Sequence, residues 1–341
     1  MEPFSDYADH DAVGLASLVA AGDVHALELI EAASQRAQNA NPAVNAVIWD
    51  RFDEARSDAA LADQAGPFAG IPILIKDLVV EEGVPVTFGS VFFRNYIGDT
   101  TSEFSRRIDR SGFITVGRTN TPEFGLLPTT EPTLHGPTRN PWDLSRSSGG
   151  SSGGAAAAVA AGIVPLAQAS DGGGSIRIPA SATGLFGLKP SRGRSPRRPG
   201  GPVDFLSSEH AVTRSVRDSA AFLDAIHGSV PGDRYWAPEP TAPFADAVER
   251  DPDRLRIGFS VRDFRGDRVH PESESAVLAT AALLESLGHD VGEDSPAVDG
   301  TMMASAFIEV WAALAANAFS TVIDAASERI PAVRRLRRTA G

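Results

Sequence analysis

The sequence contains no cysteine, which removes disulfides, thiolate metal sites and a cysteine nucleophile from consideration. Histidine is scarce as well. Seven are scattered along the chain, none paired with another at the helical spacing of a zinc site, so no metal is expected. Basic residues are outnumbered, 31 Lys and Arg against 44 Asp and Glu, for a net charge of −13. A chain this acidic is a poor match for nucleic acid or for an anionic membrane. Long apolar runs are missing too. The longest, near Ala155 to Ala167, is broken by Gly162 and Pro165 and is too short to span a bilayer. The N-terminus is acidic and has no apolar signal core, so a cytoplasmic protein is expected. Neither the Walker spacing nor G-x-G-x-x-G occurs, which speaks against a phosphate-cradling loop.

What the chain does have is ordinary bulk and one unusual stretch. Its 341 residues are 42% hydrophobic and 22% charged, a normal balance for a globular chain with a sizeable core. Between Arg146 and Pro190, two small-residue loops flank one helix and one strand. The first loop is Ser147-Ser148-Gly149-Gly150-Ser151-Ser152-Gly153-Gly154, and an alanine run follows it. Alanine is the best helix former, so a helix is expected over 152–162, capped by Ser151 or Ser152 and ended by Gly162. The apolar run after Gly162 reads as a strand. It delivers the second loop, Asp171-Gly172-Gly173-Gly174-Ser175. Glycines let a ligand come close to the main chain, and successive N–H groups can converge on a developing negative charge. Gly172, Gly173 and Gly174 would place such donors beside the hydroxyl of Ser175. A flexible Gly/Ser linker has the same composition, but it would not be joined to an alanine helix and an apolar strand. Gly150-Ser151-Ser152-Gly153-Gly154 also matches a G-x-S-x-G elbow with Ser152 as nucleophile. That elbow needs a strand before the serine, and a proline-rich loop precedes it here.

The rest of the chain reads as scaffold around this segment. Residues 1–65 form a helical N-terminal part, with helices expected from Asp11 to Ala21, Ala26 to Asn39 and Phe52 to Ala65, and a strand from Val44 to Trp49. Residues 66–230 form the core that carries the chemistry. Within it, Ile71 to Ile75 reads as a buried strand ending in Lys76. A lysine held among isoleucines and leucines loses its charge more easily, because desolvation disfavours the ammonium form. A solvated charge at a strand end fits the same pattern, so the pattern alone leaves both readings open. The stretch from Thr119 to Asp143 is proline-rich and irregular, and Arg192 to Pro202 reads as a solvated loop or a lip over the site. Residues 250–300 read as a β-α-β unit, followed by a long apolar helix from Met302 to Ile323 and an arginine-rich end at 334–338.

Taken in order, Gly149-Gly150-Ser151-Ser152-Gly153-Gly154, Asp171-x-Gly173-Gly174-Ser175-Ile176-Arg177 and Gly184-Leu185-Phe186-Gly187-Leu188-Lys189-Pro190 resemble the amidase signature family. Pro122-Glu123-Phe124 and Gly136-Pro137-Thr138-Arg139-Asn140-Pro141-Trp142 are similar to it as well. The likeness runs from about Asp11 to about Asp290, and it is greatest to the 6-aminohexanoate cyclic-dimer hydrolase-like branch. The resemblance implies an α/β fold with a mixed, twisted sheet flanked by helices, in a single domain spanning 1–341. It also implies an amidase that cleaves linear or cyclic carboxamides through a Ser–cis-Ser–Lys triad. Ser175 would be the nucleophile, Ser151 a proton relay preceded by a cis peptide bond from Gly150, and Lys76 the base. Asp171 and Arg177 would brace the loop as structural support, and Gly172, Gly173 and Gly174 would bind the substrate's oxyanion. The implied partners are a small-molecule amide and water, with no cofactor; a homodimer is compatible with this. Alternatives are an ammonia-releasing subunit of a transamidating complex, or a catalytically impaired scaffold. The chain departs from the family in three places: Gly172 where threonine is common, Ala155 where serine is common, and an end that comes before the family's usual C-terminal strands.

Overall fold

The computed structural model describes residues 2–61, 65–198 and 205–329, with side chains as far as 317. The arginine-rich end and part of the Arg192–Pro202 loop lie outside the described residues, as do 62–64; the helix expected to reach Ala65 ends at Ala60, with Leu61 as its C-cap. The chain divides into two compact units, Met1–Val248 and Glu249–Gly341.

The first unit begins with α1 (Ala12–Ala21), α2 (Ala26–Val44), β1 (Val47–Asp50) and α3 (Phe52–Ala60). It continues through β2 (Pro72–Lys76), α4 (Glu103–Arg110), β3 (Ile114–Thr119), β4 (Arg139–Asn140) and β5 (Asp143–Ser147). Then come α5 (Gly153–Ala160), β6 (Leu166–Asp171), α6 (Arg177–Thr183), β7 (Phe186–Gly187), β8 (Ser208–Thr213), α7 (Val216–Ile226) and α8 (Phe244–Val248). The second unit holds β9 (Arg256–Phe259), α9 (Pro271–Ser286), β10 (Asp290–Glu293) and α10 (Gly300–Arg329). There β9 and β10 pair in parallel across α9, as a strand–helix–strand unit requires. Among the described residues no helix is long and apolar enough to cross a membrane.

Sequence signals set the helix ends. Asp11 caps α1 by accepting from the Gly14 N–H, and Gly22 stops the helix in the left-handed region, φ 77°; both are standard solutions for orphaned end groups. The helix expected to end at Asn39 continues to Val44 with Pro42 inside it. It turns only afterwards, because Asn41 Oδ1 accepts from both Ala46 N and Val47 N at 2.8 Å. The first strand accordingly begins at Val47 rather than Val44.

Six strands form one sheet in the order β1-β3-β2-β6-β8-β7. β2 runs parallel to both neighbours, β3 and β6. β1, β8 and β7 pair antiparallel, so the sheet is mixed, as expected. The two central strands explain their own sequences. Ile73, Leu74 and Ile75 are fully buried, because β2 is covered on both faces and so reads as an unbroken apolar run. Each such side chain contributes about 1.5–3 kcal/mol of burial. α5 packs against β2, β3, β6 and β8 and also against α2, while α7 covers β7 and β8 and α3 covers β3. Every residue of α5 from Gly153 to Val159 is buried. At its start Gly154 meets backbone: a Cβ there would lie 2.4 Å from Asn120 N.

Candidate active site

Three chain segments meet at the carboxyl ends of β2 and β6. The last residue of β2 is Lys76, and it is completely buried. Its Nζ lies 2.7 Å from Ser151 Oγ, 2.9 Å from Ser152 Oγ and 3.3 Å from Ser170 Oγ. Among the described residues no carboxylate touches it. Burial pulls its pKa down to about 7, against the weaker opposing pull of Glu209 and Asp171. The lysine is therefore the desolvated one of the two readings that the sequence left open, not a solvated strand-end charge.

The hydroxyls around Lys76 are not equivalent. Ser152 Oγ donates to Ser170 O at 3.3 Å and accepts from Ser170 N at 3.4 Å. With its proton committed, Ser152 can only accept from the lysine. A neutral amine has two usable N–H donors here and one lone pair. Donation to Ser152 leaves the lone pair for another hydroxyl, and Ser151, at 2.7 Å, is the nearest. Ser152 is also fully buried, unlike the exposed nucleophile of a strand-to-helix elbow.

The loop carrying Ser151 has a cis peptide bond between Gly150 and Ser151. Side chains from the irregular 119–143 stretch hold it. Thr121 Oγ1 donates to Ser151 O at 3.0 Å, and Thr130 Oγ1 donates to Gly149 O at 2.9 Å while accepting from Gly153 N at 3.1 Å. Gly125 also approaches the loop: its φ is 68°, and a Cβ there would lie 2.6 Å from Leu78 Cδ1 and 3.3 Å from Ser151 Oγ. Asn140 and Trp142 donate to Ala182 O and Thr183 O, both at 2.7 Å, which ties this stretch to the end of α6.

The second loop leaves β6 at Asp171. Asp171 is fully buried and takes the Arg177 guanidinium in bidentate fashion, Nε at 2.9 Å and Nη2 at 3.0 Å. Such fork-on-fork pairs are the strong, orienting kind. Burial alone would raise the Asp171 pKa, but the Arg177 hydrogen bonds and the Gly174 N–H hold it below the usual carboxylate range. Asp171 Oδ1 also accepts from Gly174 N at 2.7 Å, and Oδ2 from Ile176 N at 3.2 Å. Of the three glycines expected to hold an oxyanion, Gly174 thus gives its N–H to the brace. The donors left for that task are those of Gly172, Gly173 and Ser175. Ser175 is half-buried, and it meets the first loop through its carbonyl, which accepts from Ser152 N at 3.2 Å. Among the described residues its hydroxyl makes no hydrogen bond, so it is unencumbered.

Sequence reasoning missed Ser170, Thr121 and Thr130. It also missed Gln168, which accepts from Lys76 N through Oε1 at 3.0 Å and donates to Glu209 Oε2 at 2.7 Å. Only Ser170 carried a signal, its place beside Asp171 at the strand end.

The family model described as Amidase matches residues 28–337. The chain belongs to the amidase family. Within that family it is 41% identical over 294 residues to the 6-aminohexanoate-cyclic-dimer hydrolase of Paenarthrobacter ureafaciens, an alignment covering 84% of this chain and 59% of the relative. The enzyme of the same name from Pseudomonas sp. (strain NK87) is 40% identical, with the same coverage. A solved structure of 6-aminohexanoate cyclic dimer hydrolase with substrate superposes with a TM-score of 0.81 at 42% identity, over 85% of this chain and 61% of that one. A bacterial aryl acylamidase of the amidase signature family gives 0.84 at 30% identity, over 94% and 67%. The mixed sheet flanked by helices is thus the amidase signature fold, and the chain spans about three fifths of the length of the curated relatives it matches.

Proposed function

We propose that this protein hydrolyses carboxylic amides through an acyl-enzyme on Ser175. Ser175 Oγ attacks the amide carbon, its proton passes to Ser151 Oγ, and the proton of Ser151 passes to neutral Lys76. The oxyanion is held by the backbone N–H groups of Gly172, Gly173 and Ser175, since that of Gly174 is bound to Asp171. The same path in reverse protonates the departing amine, and water then releases the acid. A serine hydroxyl is a weak nucleophile until a neighbour takes its proton, and a base works best with a pKa near the operating pH. One observation carries the reading: a fully buried lysine with its pKa pulled to about 7 and a serine hydroxyl at 2.7 Å. Asp171, Arg177 and Thr130 position the loops. The substrate class is linear or cyclic carboxamides, in keeping with relatives named for a cyclic amide dimer and for aryl acylamides.

Labelling with a fluorophosphonate and mapping the adduct by mass spectrometry tests the assignment. The expected adduct sits on Ser175 and disappears in Ser175→Ala. An adduct on Ser152, or labelling that persists in Ser175→Ala, overturns it.

A further inference from the structure

From the backbone of Lys76 runs a chain of buried and half-buried polar groups that the hydrolytic mechanism does not use. The backbone N–H of Lys76 donates to Gln168 Oε1 at 3.0 Å, and Gln168 Nε2 donates to Glu209 Oε2 at 2.7 Å. Glu209 Oε1 in turn accepts from the Arg197 guanidinium. Gln168 is fully buried in the middle of β6, and Glu209 sits on the neighbouring β8, where it pairs in register with Ser170. Glutamine is an apt link, since its amide accepts at one end and donates at the other. The chain ends in an ion pair whose two side chains are only 20% and 15% exposed.

We propose that Gln168, Glu209 and Arg197 are positioning residues that fix the end of β2 and set the charge felt by Lys76. This rests on the reading of Lys76 as the base. Glu209 places a negative charge near the lysine and favours the ammonium form, and Arg197 offsets that charge. The other charged groups around Lys76 are already committed. Asp171, at the end of β6, is neutralised by Arg177 of α6. Arg118 of β3 is paired with Glu81, and Asp77 is held by Thr87 and the Gly89 N–H. α5 brings no titratable side chain. Of the two carboxylates whose charge reaches Lys76, Glu209 acts more strongly than Asp171, and it alone is also joined to the lysine's backbone through Gln168.

The test is the pH dependence of kcat/KM on a p-nitroanilide, whose acid limb reports the free enzyme's base. Removing the carboxylate in Glu209→Gln should move the limb to lower pH, on the order of half a unit. Removing the cation in Arg197→Gln should move it to higher pH by a similar amount, and Glu209→Asp should return it towards the wild-type position. A purely structural role would not shift the limb in opposite directions. The controls are Lys76→Ala and thermal unfolding of each variant. Superimposed limbs in wild type, Glu209→Gln and Arg197→Gln, with the limb absent from Lys76→Ala, overturn the charge linkage alone. A limb that survives in Lys76→Ala overturns the base assignment and the linkage with it.

Discussion

Replacing Lys76 by methionine should make the protein more stable near neutral pH and less stable in alkali. The folded-state pKa is about 7, against an ordinary value of 10.5, and the side chain is fully buried. Between those two values the unfolded chain's lysine is protonated more than the folded one's, so the Lys76 contribution to stability rises with pH across that window and is flat outside it. Holding the lysine unprotonated therefore costs about 4 kcal/mol at pH 7, at about 1.4 kcal/mol per unit. Methionine carries no such cost. It does forfeit the contacts of Nζ, and the Ser151 hydroxyl loses its nearest partner, a loss of about 1–3 kcal/mol that does not depend on pH. Lys76→Met should thus gain about 1–3 kcal/mol at pH 7, then lose the advantage as pH rises and fall below wild type near pH 10. Urea unfolding of both proteins at several pH values, with slopes compared to check that the same surface is exposed, measures the difference. A stability difference that stays constant from pH 7 to 10 would mean that the folded lysine keeps its ordinary pKa. The base role at neutral pH would then have no physical ground.

Gly125→Ala should slow hydrolysis by about tenfold or more while costing only about 1–2 kcal/mol of stability, because it strains a φ of 68° and crowds Ser151 Oγ; unchanged kcat/KM would show that the serine tolerates the methyl. His210 is buried with its pKa lowered to about 3 from 6.5, so stability relative to His210→Asn should fall by about 1.4 kcal/mol per unit as pH drops through that range, read by acid-series denaturation; a flat difference refutes it. Leu126 and Leu127 follow Gly125 directly, so matched p-nitroanilides with neutral aliphatic acyl groups should be cleaved faster than carboxylate-bearing ones. Equal rates or a preference for charge would count against an apolar acyl site.

Much of the site was legible because its chemistry demands particular residue types at short range. Glycine next to serine, and lysine at the end of an apolar strand, are visible as words in the sequence. The holding groups are not, because their partners are far away along the chain. Thr121 and Thr130 act on loop backbone 30 and 19 residues on, and Gln168 reaches Lys76 across 92 residues. Any polar residue in a proline-rich stretch looks like a loop residue until the strands bring it to its partner. The same limit applies to α2, whose end is set by Asn41 holding the following turn rather than by Pro42.

The alanine run shows how a correct expectation can have the wrong cause. Read from sequence, Ala155 to Ala158 form a helix because alanine has the highest helix propensity. In the structure all four are fully buried, and α5 is packed among four strands and α2. Propensity differences among good helix formers are a few tenths of a kcal/mol, whereas forcing extra methylenes into a filled core costs about 1–3 kcal/mol per site. Size, not propensity, is therefore the stronger demand on these positions. The same demand acts at Gly153, where a Cβ would lie 2.3 Å from Thr130 Oγ1. Small residues let α5 sit so close to the sheet that the serine loop at its start is brought onto Lys76 at the end of β2. The close packing of α5 and the 2.7 Å contact between Lys76 and Ser151 are two parts of one arrangement, and enlarging the helix residues would disturb the contact without touching either side chain.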